Sequence, residues 1–171
     1  MIRILLAAPL LALTVILGAC ASGDVAGGEH KPGDVRVYQA QAVIYVGGPS
    51  PQVYGRQFVS RVRLARRGNM ESYRFENFFS GSLSDTPDSS VILAISGGAA
   101  GFGVYDAAGS PLIEYPKGSV NGRSLFFEMT GDRGRHEVRW VVGDEAMSSV
   151  VSAYDAAGNL VQSEVTTYTY R

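Results

Sequence analysis

Apolar and polar residues alternate with a period of two from Val35 to Tyr170, and turn residues interrupt the alternation at short intervals. Successive side chains of a β-strand point to opposite faces of a sheet, so this period predicts strands with one buried face. No stretch in this region has the spacing of an amphipathic helix over about eleven residues or more. Val, Tyr, Phe, Thr and Ile fill these segments, and strands favour them. The pattern therefore predicts an all-β domain.

Ten segments match the strand pattern, and tight turns separate them. They are Val35–Val46, Tyr54–Arg66, Glu71–Phe79, Ser90–Ser96, Phe102–Tyr105, Pro111–Tyr115, Arg123–Thr130, Arg135–Val142, Ala146–Tyr154 and Leu160–Tyr170. Short hairpins without a long crossover indicate an antiparallel up-and-down meander of about eight to ten strands. Such a sheet removes its edges by closing, so we expect a closed or partly closed barrel.

Two features of the turns support this organisation. Asp-Ala-Ala-Gly occurs at residues 106–109 and again at 155–158, each time after a tyrosine. The aspartate caps a turn and the glycine adopts the positive φ that closes it, so both copies predict tight hairpins. The glycine-rich stretch from Gly97 to Gly103 lacks both G-x-G-x-x-G spacing and a following helix, so it predicts a loop or a kinked strand rather than a phosphate site.

The last strands indicate which side chains face inward. His136, Val138, Trp140 and Val142 share one face of their strand, and Leu125, Phe127 and Met129 share one face of the strand before it. The strand count and the tight hairpins resemble those of lipocalin-like (calycin) barrels, although the glycine-x-tryptophan motif of lipocalins is absent. This architecture implies a cavity for a small apolar or amphipathic ligand. Its predicted lining is Phe127, Met129, His136, Val138 and Trp140.

The N-terminus has the organisation of a signal peptide. Arg3 precedes an apolar run from Ile4 to Leu17, and small residues follow. The run is shorter than the roughly 20 residues of a membrane span, and Pro9 interrupts it. Residues 17–20 read Leu-Gly-Ala-Cys and resemble the lipobox of bacterial lipoproteins. We therefore predict a signal peptide at 1–19, a lipidated tether at 20–33 and a single β domain at 34–171.

The lipobox resemblance implies a location. Cys20 would become the first residue of the mature protein and carry acyl chains that hold it in a membrane. Ala21 and Ser22 follow in place of aspartate. In the Gram-negative sorting rule this implies the inner leaflet of the outer membrane, facing the periplasm. Residues 21–33 are small, polar and glycine-rich, as is typical of a flexible tether that spans roughly 20 Å.

Charge suggests an alternative function. The formal net charge of −1 does not favour nucleic acid. Six arginines nevertheless lie between residues 56 and 74, with Glu71 as the only acid among them. Arg61, Arg63 and Arg67 share one face, and arginine binds phosphates and carboxylates well. The face that carries these arginines could contact anionic lipid, peptidoglycan or an envelope protein. Alternatively, it could be a solvated outer face neutralised by acids such as Glu76.

The sequence carries no catalytic or metal-binding motif. HExxH, CxxC and G-x-S-x-G are absent, and the two histidines are His30 and His136. His136 is either a ligand inside the barrel or a hydrogen-bonded residue of its core or rim. We therefore predict a non-catalytic binding protein without metal or cofactor, with an uncharacterised hydrolase that uses dispersed acids as the alternative.

Overall fold

The structure is a computed structural model that describes residues 31–171. The predicted signal peptide, Cys20, His30 and most of the tether lie outside the described residues. The predictions for that segment therefore stay predictions. No helix in the described part is long and apolar enough to cross a membrane.

Ten antiparallel strands form a closed barrel. They are β1 (Val35–Val46), β2 (Gln52–Arg67), β3 (Met70–Phe78), β4 (Ser89–Ser96), β5 (Ala99–Asp106), β6 (Pro111–Asn121), β7 (Ser124–Gly131), β8 (Gly134–Val141), β9 (Ala146–Asp155) and β10 (Leu160–Tyr170). Each strand pairs with its neighbour in sequence, and β1 also pairs with β10. The predicted antiparallel all-β meander is confirmed, and of the closed and partly closed forms that the sequence left open, the structure has the closed one, which is consistent with a lipocalin-like barrel. All ten strands lie within residues 35–170, so the barrel can fold without residues 1–20.

Two strands are at least four residues longer than the sequence pattern predicted. β5 begins at Ala99 rather than Phe102, and β6 continues beyond Tyr115 to Asn121. Glycine contributes no side chain to the alternation, so Gly101 and Gly103 hide the pattern of β5 although both pair with β4. In β6 the ladder with β5 shifts register between Tyr115 and Gly118, which is typical of a β-bulge.

Both repeated turns are hairpins, as predicted. The Oδ1 atom of Asp106 accepts a hydrogen bond from the backbone N–H of Ser110 at 2.8 Å, and Asp155 accepts the equivalent bond from Asn159 at 2.8 Å. The closing glycine of the second turn, Gly158, has a φ of 84°. The turns connect β5 to β6 and β9 to β10 at the same end of the barrel.

Aromatic rings fill the middle of the barrel. The Trp140 ring lies 4.9 Å from the Phe75 ring and 5.7 Å from the Tyr168 ring, centroid to centroid. Phe102 lies 6.3 Å from Trp140 and 5.6 Å from Phe127. All five side chains are at most 6% exposed. Aromatic pairs at these separations add about 0.5–1.5 kcal/mol each beyond their burial, so this level of the barrel is a packed core.

The connection between β8 and β9 closes one end of the barrel, which we call the sealed end. The Arg36 guanidinium, 9% exposed, donates a hydrogen bond to the carbonyl oxygen of Asp144 at 3.0 Å. The Tyr38 hydroxyl donates to the same oxygen at 3.0 Å. The backbone N–H of Tyr170 donates to the carbonyl oxygen of Glu145 at 2.8 Å. Since β1 begins at this end, the tether reaches the barrel here.

The β7–β8 hairpin offers a test of the backbone geometry. Gly134 has a φ of +135°, and a Cβ there would overlap the carbonyl oxygen of Tyr154. We expect Gly134→Ala to lower the free energy of unfolding by about 1–3 kcal/mol, because it combines backbone strain with a clash. Gly131→Ala is the matched control in the same hairpin, since its Cβ would meet nothing within 4 Å. Urea denaturation of both variants measures this, and equal stabilities would contradict the geometry.

Candidate functional site

Inward-facing side chains remain accessible to solvent at the end opposite the sealed one. The strand register places them on the same face as the core residues. We call this end the mouth, and its inward-facing residues are Val46, Tyr54, Arg56, Val104, Ile113, Met129, His136, Val151 and Glu164. Tyr54 is 50% exposed and Met129 is 47% exposed. The middle of the barrel is therefore packed, and its inward-facing side chains meet solvent at the mouth.

Exposed apolar side chains concentrate around the mouth. Of the thirteen large exposed apolar residues in the described part of the chain, four lie toward the sealed end. The nine at the mouth are Val53, Tyr54, Phe79, Leu83, Leu112, Ile113, Met129, Leu160 and Val161. Exposed apolar residues that cluster in this way mark binding sites more often than those scattered singly.

The barrel wall is incomplete beside the mouth. Within the described chain, β6 and β7 pair only where Ser119–Asn121 meets Ser124–Phe126. The pairing ends at Ser119, and Pro116, which has no backbone N–H to donate, lies three residues away in the part of β6 that does not pair with β7. Residues 111–116 and 128–131 therefore leave a lateral gap that is continuous with the mouth. A shallow groove of about 440 Å³ lies away from the mouth, mostly on the outer face of the paired segment, beside Ser119, Asn121, Ser124, Phe126, Arg139 and Val141.

The five predicted ligand-lining residues fall into two groups. Phe127, Val138 and Trp140 are at most 2% exposed and belong to the packed core. Met129 and His136 pair with each other in the β7–β8 register and lie at the mouth. The predicted inward face is therefore confirmed, and its role in ligand binding stays a prediction. In the free barrel, a ligand at the mouth would reach only Met129 and His136 of this set directly.

Three buried donors lack a hydrogen-bond partner within residues 31–171. They are the Arg56 Nε, the Tyr115 hydroxyl and the Trp140 Nε1 atoms. A buried unsatisfied donor costs about 1–3 kcal/mol, so each is suited to an acceptor from a bound molecule or a water. Tyr115 and Trp140 flank Phe102, with ring centroids 5.6 and 6.3 Å from it. Two of the three donors therefore lie in one part of the interior.

Neither Arg56 nor Tyr115 was predicted as a site residue from the sequence. A signal for Arg56 was available, because it shares its face of β2 with Phe58 and Val62, which are buried. Because Arg56 belongs to a run of arginines, its position on the inner face was not distinguished from the outer position of Arg61 and Arg63. For Tyr115, no signal in the sequence distinguished it from other strand tyrosines.

The arginines predicted for the outer face do lie there, and acids neutralise part of that face. Arg61 Nε donates to Glu76 at 2.6 Å, and Arg74 Nε lies 3.4 Å from the other oxygen of Glu76. Arg63 and Arg67 form no ion pair within the part of the chain that is described. This arrangement matches the interpretation of a solvated outer face for Arg61. Anion binding by this face stays a prediction.

Residues 31–171 contain no group of three or more His, Cys, Asp or Glu side chains placed to hold a metal ion. His136 pairs with Met129 on β7 and with Ala153 on β9. Its register neighbours are thus a methionine and an alanine, neither of which carries a charge.

Comparison with known proteins adds a distant likeness. No protein family and no curated protein matches the chain. Among solved structures, the chain is similar to Rv2717c from M. tuberculosis, with 10% sequence identity and a TM-score of 0.38. The similarity covers 82% of this chain and 92% of that one. It assigns neither a function nor a site residue.

Buried tyrosines predict sensitivity to high pH. Burial raises the pKa of Tyr168 well above 10, with an addition from the Glu164 charge and opposition from Arg56. The unfolded chain therefore releases this proton near pH 10 while the folded chain retains it. We expect the free energy of unfolding to fall above pH 10, by roughly 1 kcal/mol per pH unit from this group. Tyr168→Phe should reduce the slope.

Denaturation between pH 8 and 11 measures this effect. Tyr54→Phe, at an exposed tyrosine of the mouth, is the matched control and should retain the wild-type slope. An unchanged slope in Tyr168→Phe would show that the hydroxyl titrates normally in the folded state.

Proposed function

We propose that this chain is a lipid-anchored protein of the bacterial cell envelope that binds a small apolar or amphipathic ligand in its barrel and does not catalyse a reaction. The observation that carries the proposal is the asymmetry of the barrel. Contacts of Arg36 and Tyr38 with Asp144 close one end, whereas apolar inward-facing side chains such as Met129 meet solvent at the other.

The mouth has the mixture of surfaces that small-molecule sites use. Such sites are concave and mostly apolar, with a few polar groups that orient the ligand. Covering the exposed inward faces of Ile113 and Met129 would release about 25 cal/mol for each Å² of apolar surface. The Tyr115 hydroxyl and Trp140 Nε1, which have no partner among residues 31–171, supply hydrogen-bond donors deeper inside.

The lateral gap between β6 and β7 gives a long ligand room to extend from the mouth toward the interior. β6 and β7 can separate further over residues 111–116 without breaking a ladder hydrogen bond. Local openings of this kind require little free energy compared with global unfolding. Such an opening would bring a ligand from the mouth to Tyr115, which pairs with Phe102 beside the gap.

The anchor is compatible with this arrangement. Two or more acyl chains on Cys20 would make attachment stable, and residues 21–33, if they form the predicted tether, would separate the barrel from the lipid. The chain joins the barrel at the sealed end, so the attachment leaves the mouth unobstructed. We place the protein in the outer membrane, facing the periplasm.

Binding at the mouth can be tested with a neutral apolar fluorophore, N-phenyl-1-naphthylamine, and the protein beginning at Ala21. We expect Met129→Asp to weaken binding at least about tenfold, because it introduces a charge into the apolar lining. Met70→Asp is the matched control, since Met70 is 41% exposed but lies at the sealed end. Equal losses in both variants, or no binding by the wild type, would contradict the proposal.

The anchor has a separate test. Full-length protein expressed in a Gram-negative host with an alkyne analogue of palmitate should incorporate label and sediment with the outer membrane. Cys20→Ala should abolish labelling, because the chain has no other cysteine. Labelling that persists in Cys20→Ala would show that the lipobox assignment is wrong.

A further inference from the structure

The mouth contains one arginine whose surroundings differ from those of every other arginine on β2. Arg56 pairs in register with Ala42, which is buried, so its side chain lies on the inner face. Arg61 and Arg63 occupy the outer face of the same strand. The guanidinium carbon of Arg56 lies 4.1 Å from the Phe79 ring centroid and 5.7 Å from the Phe58 ring centroid. Two aromatic rings therefore hold it at the inner wall of the mouth.

The charge of Arg56 is not neutralised by a direct ion pair. Within residues 31–171 no carboxylate lies within 4.0 Å of its guanidinium, and its buried Nε has no hydrogen-bond partner. A guanidinium offers five N–H donors and forms its strongest bonds with carboxylates and phosphates. A partly buried arginine held in this way is poised for an anion that enters the mouth.

Glu164 limits the charge of that anion. It lies on β10, across β1 from Tyr54 and therefore one inward-facing position nearer the mouth than Arg56, and its Oε1 atom accepts a hydrogen bond from the Thr166 hydroxyl at 3.0 Å. Both Glu164 and Arg56 act on Tyr168, whose pKa burial raises. A carboxylate nearby disfavours a dianion more than a monoanion. The pair therefore favours a singly charged head group.

We infer that Arg56 binds the carboxylate head of an amphipathic ligand whose apolar part lies against the mouth. This rests on the proposed function and adds the chemical class of the ligand. The head group would accept hydrogen bonds from the Arg56 guanidinium, which Phe58 and Phe79 would keep in place. The apolar chain would then extend across the exposed inward face that includes Met129.

Displacement of N-phenyl-1-naphthylamine by decanoate and by decanol tests the inference at pH 8, where decanoate is ionised. The protein beginning at Ala21 should bind decanoate at least about tenfold more tightly than decanol. Arg56→Met should reduce decanoate affinity at least about tenfold and change decanol affinity less than about twofold. Arg63→Met, on the outer face of the same strand, should behave as the wild type. Arg56→Lys should retain part of the preference, because it keeps the charge and loses the planar fork.

The other outcomes separate the two proposals. If decanol binds and decanoate binds no better, the assignment to Arg56 is overturned while the binding barrel stands. An equal loss of both ligands in Arg56→Met and Arg56→Lys would make Arg56 a structural residue and also overturn the assignment. Tighter binding of decyl phosphate than of decanoate would replace the carboxylate by a phosphate. If neither ligand nor the fluorophore binds to the wild type, both proposals fail.

Discussion

The ladder between β1 and β10 is the interaction on which the rest of the molecule depends. It runs from Tyr38 opposite Tyr170 to Val46 opposite Gln162. Without it, both strands would be exposed edges and the sheet would have no enclosed side. Closure also fixes the facing of every side chain, because a shift of one residue would turn the outer arginines inward. Barrel diameter grows with strand number, so ten strands enclose a space that needs large rings such as Trp140 to fill it.

Polar groups distinguish the two ends of this filled cylinder. At the sealed end, Arg36 and Tyr38 both find the carbonyl oxygen of Asp144, so an inward-facing charge is satisfied within the fold. At the mouth, Arg56 also faces inward, but aromatic rings surround it and its Nε has no partner in the described chain. Arginine therefore closes the barrel at one end, and at the other end it has a hydrogen-bond donor without a partner in the described chain.

The arginine-rich strand shows how far the sequence pattern reaches. Alternation correctly assigned Arg61 and Arg63 to one face and Phe58 to the other, since that assignment requires only a period of two. It could not show that Glu76 on β3 would pair with Arg61, because partners across strands depend on register. Arg56 was also grouped with the outer arginines in the sequence, although its position on the inner face gives it a different environment. The candidate site was thus only partly predictable: Met129 and His136 were found, and Arg56 was not.

The sequence by itself determined the strand class, the positions of most strands and turns, and the inward set that includes Phe127, Val138 and Trp140. These follow from local alternation and turn chemistry, which act within a few residues. Only the tertiary structure decided that the meander closes fully, that Asp144 seals one end against Arg36 108 residues away, and that β6 pairs with β7 only over Ser119–Asn121. It also decided that Arg56 has no ion pair among residues 31–171 and that its Nε has no hydrogen-bond partner there. Each of these depends on contacts between strands that are distant in the chain, and local patterns do not encode them.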